Sequence, residues 1–343
     1  MKNMISVLLI VALLCASCTL FGCGLIDAFS GKVPTTYQNA EKYTAGNTEF
    51  EGKVDTLGIW WLAGSVTVKT HKESTVLIEE TASEAIDDSF RLHWRYFDAS
   101  EYGNVLYVRY SASGNFDFGD LKKDITVYLP ENDAMNISLT IDAASVEVDT
   151  SGFENTLEEL SVSTNSGRVS AKIDSAEEVR ISGQNDEGIP EENRVFFFRA
   201  SGNVDDLGIS ASYAKVDVAV SSVRSGDVGS VFADAAFFAD RVKDLKLTNS
   251  RNRIYATVLA FDSLDIETRD APCELALSPD ASFVLTLKEE DRFGYKMSPK
   301  LVSVDFAGAT QSASQYTVGT GDGEITVATD SDLILCPFQN GEG

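Results

Sequence analysis

The sequence predicts an all-β protein, folded as a single β-solenoid or β-roll of short stacked strands. Apolar and polar residues alternate along most of the chain after residue 50, as at Leu245, Leu247, Ile254 and Ala256. Alternation puts every second side chain on one face of a strand. Segments with the same layout of strand, turn and strand return after roughly 20 residues, a period typical of solenoids. Two β-sandwich domains are the alternative architecture.

The repeated layout is clearest in three segments of the body. They are LSVSTNSGRVSAKI (160–173), LKLTNSRNRIYATV (245–258) and YTVGTGDGEITVAT (316–329). One such unit cannot bury its apolar face alone, so we expect the units to stack. Residues such as Gly167 and Asn252 occupy the turns, where we expect a backbone with positive φ.

The first 22 residues predict an export signal. A short start that contains Lys2 is followed by an almost purely apolar run at 4–14, about the length of a signal-peptide hydrophobic region. The Leu-Phe-Gly-Cys sequence that ends at Cys23 resembles the lipobox of bacterial lipoproteins, which implies cleavage before Cys23 and a lipid on its thiol. Cys18 is the competing acceptor, and an uncleaved signal anchor is the alternative. Either arrangement places the body on the outer face of the membrane.

The rest of the chain divides into three predicted parts. Residues 23–50 are mostly small and polar and show no sustained period, so they predict a tether. Residues 51–120 predict N-terminal β-rich coils or a cap, and residues 121–338 predict the solenoid body. With 43% hydrophobic and 10% aromatic residues, the chain has enough apolar side chains for a large core.

The composition is strongly acidic. The chain has 53 Asp and Glu against 28 Lys and Arg, a formal net charge of −25. A surface with this charge repels phosphate backbones, which argues against nucleic acid as a partner. The expected partners are the membrane, through the lipid anchor, and an extracellular protein or glycan.

Two cysteines remain in the body after the signal and Cys23. Cys273 lies in an alternating CELAL segment that points it inward, and Cys336 lies near the C-terminus. Because an exported protein can keep a disulfide, Cys273 and Cys336 are a candidate pair, with two buried free thiols as the alternative. Their number and spacing do not suit a structural metal cluster, and no cofactor is expected.

From about residue 124 onward, the chain resembles the bacterial "putative adhesin" β-solenoid domains of unknown function that occur on exported proteins. The shared features are DITVYLPEN (124–132), the repeated strand and turn units, LSPDASFVLTLKEED (277–291) and GTGDGEITVATDSD (319–332). The resemblance implies one stack of short strands that faces outward from the cell. It implies no catalytic residue, because that family has none agreed.

Catalytic and metal-binding motifs are weak. The two histidines, His71 and His93, lie in charged or alternating stretches without a nearby cysteine or serine elbow, which argues against a nucleophilic triad or a zinc site. Carboxylates are abundant, but those adjacent in sequence point to opposite faces of a strand. The turns at 182–188 and 320–324 offer oxygens for calcium but match no calcium loop, so we expect them to be solvated.

Aromatic runs provide the candidate ligand surface. Trp60 and Trp61 are adjacent, and Phe196 and Phe198 belong to a run of three phenylalanines. Rings that point outward from a sheet can stack on a sugar or contact a protein. Because both runs are apolar throughout, burial beneath a cap or loop is the alternative.

The predicted function is non-enzymatic binding, adhesion or scaffolding at the cell surface. One alternative is a polysaccharide-acting enzyme that uses acidic residues on one face of the solenoid. Another is a sensory module of an envelope-stress system. A resemblance in fold does not distinguish these three functions, so the geometry of the site has to distinguish them.

Overall fold

The protein is built from strands stacked into two facing sheets. The computed structural model describes residues 42–99, 103–112, 121–132, 136–141, 144–165 and 167–339. The export signal, Cys23 and most of the tether therefore lie outside the described residues. The described residues contain no α-helix with the length and hydrophobicity of a membrane span.

Strands account for most of the described chain, which confirms the predicted all-β class. A 3-10 turn at Glu191–Asn193 precedes the first long strand. In chain order the strands are β1 (Thr44–Ala45), β2 (Thr48–Phe50), β3 (Thr56–Trp61), β4 (Gly64–His71), β5 (Val76–Ala82), β6 (His93–Ala99), β7 (Gly103–Arg109), β8 (Lys123–Pro130), β9 (Asn136–Ile141), β10 (Ala144–Thr150), β11 (Leu157–Thr164), β12 (Val169–Ile173), β13 (Ala176–Gln184), β14 (Val195–Ser212), β15 (Lys215–Val231), β16 (Ala235–Ser250), β17 (Ile254–Arg269), β18 (Cys273–Leu277), β19 (Phe283–Leu287), β20 (Leu301–Val304), β21 (Thr310–Ser312), β22 (Gln315–Val318), β23 (Gly323–Thr329) and β24 (Asp332–Pro337).

Strands β14 to β17 define the repeating coil. From β15 to β17 each strand lies parallel to the next at an offset of 19 residues, so that Val216 lies opposite Ala235 and Ala235 opposite Ile254. The first half of β14 pairs with β12 and its second half with β13, so each long strand contributes to two sheets. Parallel strands at a fixed offset are the coils of a β-solenoid.

Two sheets, here called sheet 1 and sheet 2, run the length of the stack. Sheet 1 has the order β2, β5, β8, β4, β10, β12, the first halves of β14 to β17, β18, β24 and β20. Sheet 2 has the order β1, β6, β7, β3, β9, β11, β13, the second halves of β14 to β17, β23, β19, β22 and β21. Antiparallel pairs close the N-terminal end of both sheets and the C-terminal end of sheet 2.

The core lies between the two sheets. In β16, Ala235 and Phe237 of sheet 1 and Leu245 and Leu247 of sheet 2 are buried, while Phe238 and Lys246 in the alternate positions point outward. One cluster of buried apolar side chains extends from Val54 to Leu335. Because apolar burial contributes about 25 cal/mol per Å², each coil is stabilised mainly through its contacts with the coils on either side.

The turns from sheet 2 back to sheet 1 use left-handed residues that are not glycine. They follow one another at 19-residue intervals: Tyr213 (φ 56°), Phe232 (φ 64°), Arg251 (φ 74°) and Asp270 (φ 50°). Such a conformation costs a side-chain-bearing residue about 1–2 kcal/mol. The backbone N–H groups of the first three donate to carbonyls of the next coil, which offsets part of that cost. The expected positive φ is present at Gly167 but not at Asn252.

A buried lysine connects the strands at the N-terminal end of sheet 1. The side chain of Lys123 in β8 is fully buried, and its Nζ lies 2.6 Å from Oε1 of Glu80 in β5. Nζ also donates to the backbone carbonyls of Phe90 and Tyr110. Burial lowers the pKa of Lys123 below its usual value, an effect that the hydrogen bond and charge of Glu80 partly counteract. The ammonium group thus has an acceptor for each of its three protons.

The start of β4 packs closely against the backbone of β8. Gly64 has a φ of +92°, and a Cβ on it would lie 2.0 Å from the carbonyl oxygen of Lys123. The same oxygen accepts the indole N–H of Trp61 at 2.9 Å. Only glycine permits this approach, and the hydrogen bond satisfies the one polar atom of a fully buried ring.

We expect substitution of Lys123 by methionine to destabilise the protein by about 3–5 kcal/mol, because it leaves the buried carboxylate of Glu80 without its cationic partner. The double variant Lys123→Met, Glu80→Leu should recover most of that loss. Denaturant unfolding followed by circular dichroism measures both. The matched control is Lys122→Met, an exposed neighbour; equal effects of the two single substitutions would contradict the prediction.

Candidate functional site

The structure corrects three of the four residues in the predicted aromatic surface. Trp61, Phe196 and Phe198 are at most 1% exposed, because strand alternation turns them into the core between the sheets. Trp60 is half-buried on the outward side of β3. The candidate residues therefore do not form one ligand surface, and three of them are core side chains.

Cys273 and Cys336 do not form the candidate disulfide. Cys273 lies opposite Leu333 on the adjacent strand, and Cys336 lies opposite Ala276, so the cysteines are three residues out of register. An odd offset points one thiol into the core and the other outward, and both are free. Burial raises the pKa of Cys273 to about 12 and also raises the pKa of Cys336.

We expect these two thiols to differ in reactivity. Cys336 should react with a maleimide in the native protein, whereas Cys273 should react only after unfolding, because it is fully buried and the thiolate is the reactive form. Peptide-resolved mass spectrometry of the unreduced protein, labelled before and after denaturation, measures the difference. A peptide pair joined by a disulfide, or equal native labelling, would show that the assignment is wrong.

The turns from sheet 2 to sheet 1 form the surface that we call the turn edge, made of residues 213–214, 232–234, 251–253 and 270–272. The rings of Tyr213 and Phe232 stack with centroids 4.5 Å apart and an interplanar angle of 6°. The guanidinium of Arg251 lies 4.6 Å from the centre of the Phe232 ring. Each aromatic or cationic group thus rests on the equivalent position of the neighbouring coil, which fixes its orientation.

Arg253 and Tyr255 extend the turn edge onto the outer face of sheet 1. The Arg253 guanidinium lies 5.1 Å from the centre of the Tyr255 ring and donates to its hydroxyl. Tyr255 is 37% exposed. The backbone N–H of Arg253 donates to Oδ1 of Asp234 in the preceding turn. This contact orders the turn, and the guanidinium remains at the surface.

A hairpin at residues 289–297, which we call the Asp291 hairpin, lies beside the turn edge. The side chain of Asp291 is 1% exposed, and its Oδ1 accepts the backbone N–H groups of Phe293 and Tyr295 at 2.9 Å each. Its Oδ2 accepts a hydrogen bond from Arg269. Arg269 is the last residue of β17 and directly precedes the turn-edge residues 270–272. Burial alone would raise the pKa of Asp291, but these hydrogen bonds hold it below its usual value. The Asp291 carboxylate is therefore charged at neutral pH, the form that accepts these hydrogen bonds.

The tip of the Asp291 hairpin is aromatic and basic. Phe293 is 67% exposed and Tyr295 is 58% exposed, the largest values among the big apolar side chains of the described residues. The guanidinium of Arg269 lies 4.2 Å from the centre of the Tyr295 ring, and that of Arg292 lies 4.8 Å from the centre of the Phe293 ring. One side of each ring thus carries a cation, while much of the ring remains open to solvent.

The turn edge and the Asp291 hairpin carry mixed charges, since Arg251, Arg253, Arg292 and Lys296 lie among Asp234, Asp270, Glu289, Glu290 and Asp291. The whole chain carries a net charge of −25. Within the described residues, however, no carboxylate forms an ion pair with Arg251, Arg253 or Lys296. Arg251 and Arg253 contact rings and so keep N–H groups available for a ligand. Arg269 and Arg292 instead form ion pairs with Asp291 and Glu267.

Three carboxylates meet on the outer face of sheet 2. The strand register places Glu159 beside Glu178 and Glu178 beside Asp206. Arg180 lies across them, with Nε 3.2 Å from Glu178 and Nη2 2.9 Å from Asp206. Desolvation and the charge of Glu178 raise the pKa of Glu159. This group provides acids on one face, as the enzyme alternative requires, but it lies on open sheet and Arg180 compensates its charge.

Two shallow clefts lie elsewhere on the described surface. One, of about 180 Å³, is lined by Asp205, Arg224, Arg241 and Lys243 on the edge opposite the turn edge. The other, of about 430 Å³, is lined by residues of β4 and β10, including Lys69. Neither contains the acidic group of sheet 2. The described residues contain no group of three or more His, Cys, Asp or Glu side chains placed to hold a metal ion.

Sequence reasoning missed both the turn edge and the Asp291 hairpin. The 19-residue spacing of Tyr213, Phe232 and Arg251 was a usable signal, because repeats aligned on that interval place all three in one column. The role of Asp291 was not readable, since its partner Arg269 lies 22 residues earlier on a different strand. The site therefore depends on register and on one non-local contact.

No protein-family model and no curated protein sequence matches the chain. Solved structures do align with it, and two of them are named as adhesion proteins. A "putative cell adhesion protein" from Clostridium sporogenes is 11% identical, with 85% of this chain and 100% of that chain covered at a TM-score of 0.28. A "putative adhesin" from Bacteroides fragilis is 9% identical, with 87% of this chain and 98% of that chain covered at a TM-score of 0.33. Function is therefore inferred from the geometry of the chain itself.

Proposed function

We propose that this protein is an exported, lipid-anchored surface protein that binds an extracellular partner without catalysing a reaction. The observation that carries the proposal is the exposed ring and cation surface of the turn edge and the Asp291 hairpin. Phe293 and Tyr295 are more than half exposed on one short hairpin, and exposed apolar side chains that are clustered mark interaction sites. Tyr, Phe and Arg are the residues that binding surfaces favour.

The scaffold suits a site held away from a membrane. The described chain enters the stack at its N-terminal end, where β1 and β2 lie, and the Asp291 hairpin contacts β17 toward the other end. Neighbouring strands lie about 4.8 Å apart, so the strands between these points separate them by several tens of ångströms. With a lipid on Cys23 and a tether over 23–50, the binding surface would point outward from the cell.

A second candidate function is a polysaccharide-acting enzyme, which the acidic group of sheet 2 favours. The raised pKa of Glu159 beside Glu178 is the pattern of a proton donor next to a carboxylate. Release of reducing sugar ends by the wild type, lost in Glu159→Gln, would support this reading. Binding without any product, unchanged in Glu159→Gln, supports the non-enzymatic proposal.

We expect the full-length chain to bind at least one member of a glycan and matrix-protein array. Binding should fall strongly in the variant Tyr255→Ala, Phe293→Ala, because it removes two exposed rings. The matched control is Tyr96→Ala, which removes a ring of equal exposure, 37%, from β6 at the other end of the molecule. Equal loss in the control, or no partner on the array, would oppose the proposed function.

We also expect Cys23→Ala to abolish lipid attachment. The lipid is carried by the thiol of Cys23, so the variant loses acyl chains whose methylenes each contribute about 0.8 kcal/mol of membrane affinity, and any retention then depends on the apolar leader. Cell fractionation and metabolic labelling with a fatty-acid analogue measure retention and lipid attachment. Cys18→Ala is the control. Loss of the label in Cys18→Ala but not in Cys23→Ala would assign the lipid to Cys18.

A further inference from the structure

We propose that the outer face of sheet 1 binds a second copy of this chain, so that two anchored molecules stand side by side in one membrane as a dimer. This inference goes beyond the proposed function and takes from it the anchor at Cys23. It depends on three properties of the described residues: the low charge of this face, its direction relative to the stack, and its area.

The surface consists of two columns of outward side chains that cross β14 to β18 and β24. Strand pairing places side by side the ranges 197–199, 217–219, 236–238, 255–257, 274–276 and 334–336. The middle residue of each range is buried in the core, and the first and last residues point outward. We call these two outward columns the sheet 1 face.

The sheet 1 face carries little net charge. Three charged side chains belong to its two columns, Arg199, Asp217 and Glu274. Arg199 and Asp217 compensate each other, with Nη2 2.7 Å from Oδ1. The charge of Glu274 acts on the guanidinium of the neighbouring Arg253. The other positions of the two columns are apolar or neutral, which leaves the face close to uncharged.

The outer face of sheet 2 is charged by comparison. Asp227, Lys246 and Asp265 follow one another there across adjacent coils. Because the whole chain has a net charge of −25, two copies repel each other wherever acids face acids. The sheet 1 face offers an approach with less repulsion, and Tyr255 and Ile334, each 37% exposed, supply apolar surface to bury.

The direction of the sheet 1 face favours a second copy as its partner. Sheet 1 runs along the stack, so its outer face is parallel to the stack axis. A lipid on Cys23 would hold every copy by its N-terminal end and turn this face toward neighbours in the membrane plane. A two-fold axis parallel to the stack then joins the same patch on both molecules and brings equivalent strands to the same height.

The area suits a dimer between anchored molecules. With strands about 4.8 Å apart and residues about 3.3 Å apart, six strands over five residues each cover roughly 500 Å². A stable interface buries about 800 Å² on each partner, so we expect weak association in dilute solution. Confinement to one membrane raises the effective concentration of each copy for the other, which favours the dimer.

The test uses full-length chains fused at the C-terminus to a donor or an acceptor fluorescent protein and reconstituted together in phosphatidylcholine vesicles. The wild type should show energy transfer between copies. Thr257→Glu should lower the association about tenfold or more, because it brings a carboxylate from each copy into one low-charge interface. The control Thr248→Glu changes a half-buried outward threonine of sheet 2 and should alter the association less than about twofold. Thermal unfolding confirms that both variants are folded.

Cys336 reports the orientation of the two copies. Its thiol is free and lies half-buried on the sheet 1 face. Because the proposed axis brings β24 of both copies to the same height, a bis-maleimide should link Cys336 of one copy to Cys336 of the other. Peptide mass spectrometry identifies the link, and Cys336→Ser should abolish it. Energy transfer without this link would overturn the side-by-side arrangement.

Failure of this inference differs from failure of the proposed function. Copies that remain monomeric in vesicles, or equal loss in Thr257→Glu and Thr248→Glu, would overturn the dimer, while a partner found on the array would leave surface binding intact. A partner that binds the monomeric wild type but not Thr257→Glu would assign the sheet 1 face to that partner instead. Energy transfer with no partner on the array would support the dimer and oppose the proposed function.

Discussion

The fixed offset between neighbouring coils is the constraint on which the rest of the structure depends. Parallel pairing at 19 residues places each inward side chain on its equivalent in the next coil, as with Val218, Phe237 and Ala256. The apolar surface is then buried both between coils and between sheets. A shift of one residue would turn every inward side chain outward, so the core itself enforces the offset.

The same offset determines what the outside of the molecule can present. Outward residues line up in columns, and the left-handed turn positions line up as the turn edge. A ring placed on a ring, or an arginine on a ring, recovers some of the conformational cost of those turns through contact with the next coil. Core packing and surface recognition therefore share one geometric origin.

Alternation predicted the strand content and the stacking, because the burial of every second residue is a local property of a strand. It failed at the run from 195 to 198, where Val195 and three phenylalanines offer no polar residue to set the inward face. In that run, the pairing of β14 with β12 and β15 determines which side chains face the core, and Phe196 and Phe198 are the buried ones. Trp61 shows the same limit, since the carbonyl that satisfies its indole N–H belongs to Lys123, 62 residues away.

The acidic composition, which argues against nucleic acid, also bears on how a surface ligand would be selected. An anionic ligand is repelled by most of this molecule, which favours a ligand that is not itself strongly anionic. Rigid presentation favours binding independently of charge, because Asp291 and the stacked turns order the rings and guanidinium groups before any ligand arrives. Because these groups are already ordered in the free protein, little further conformational entropy is lost on binding, which favours affinity.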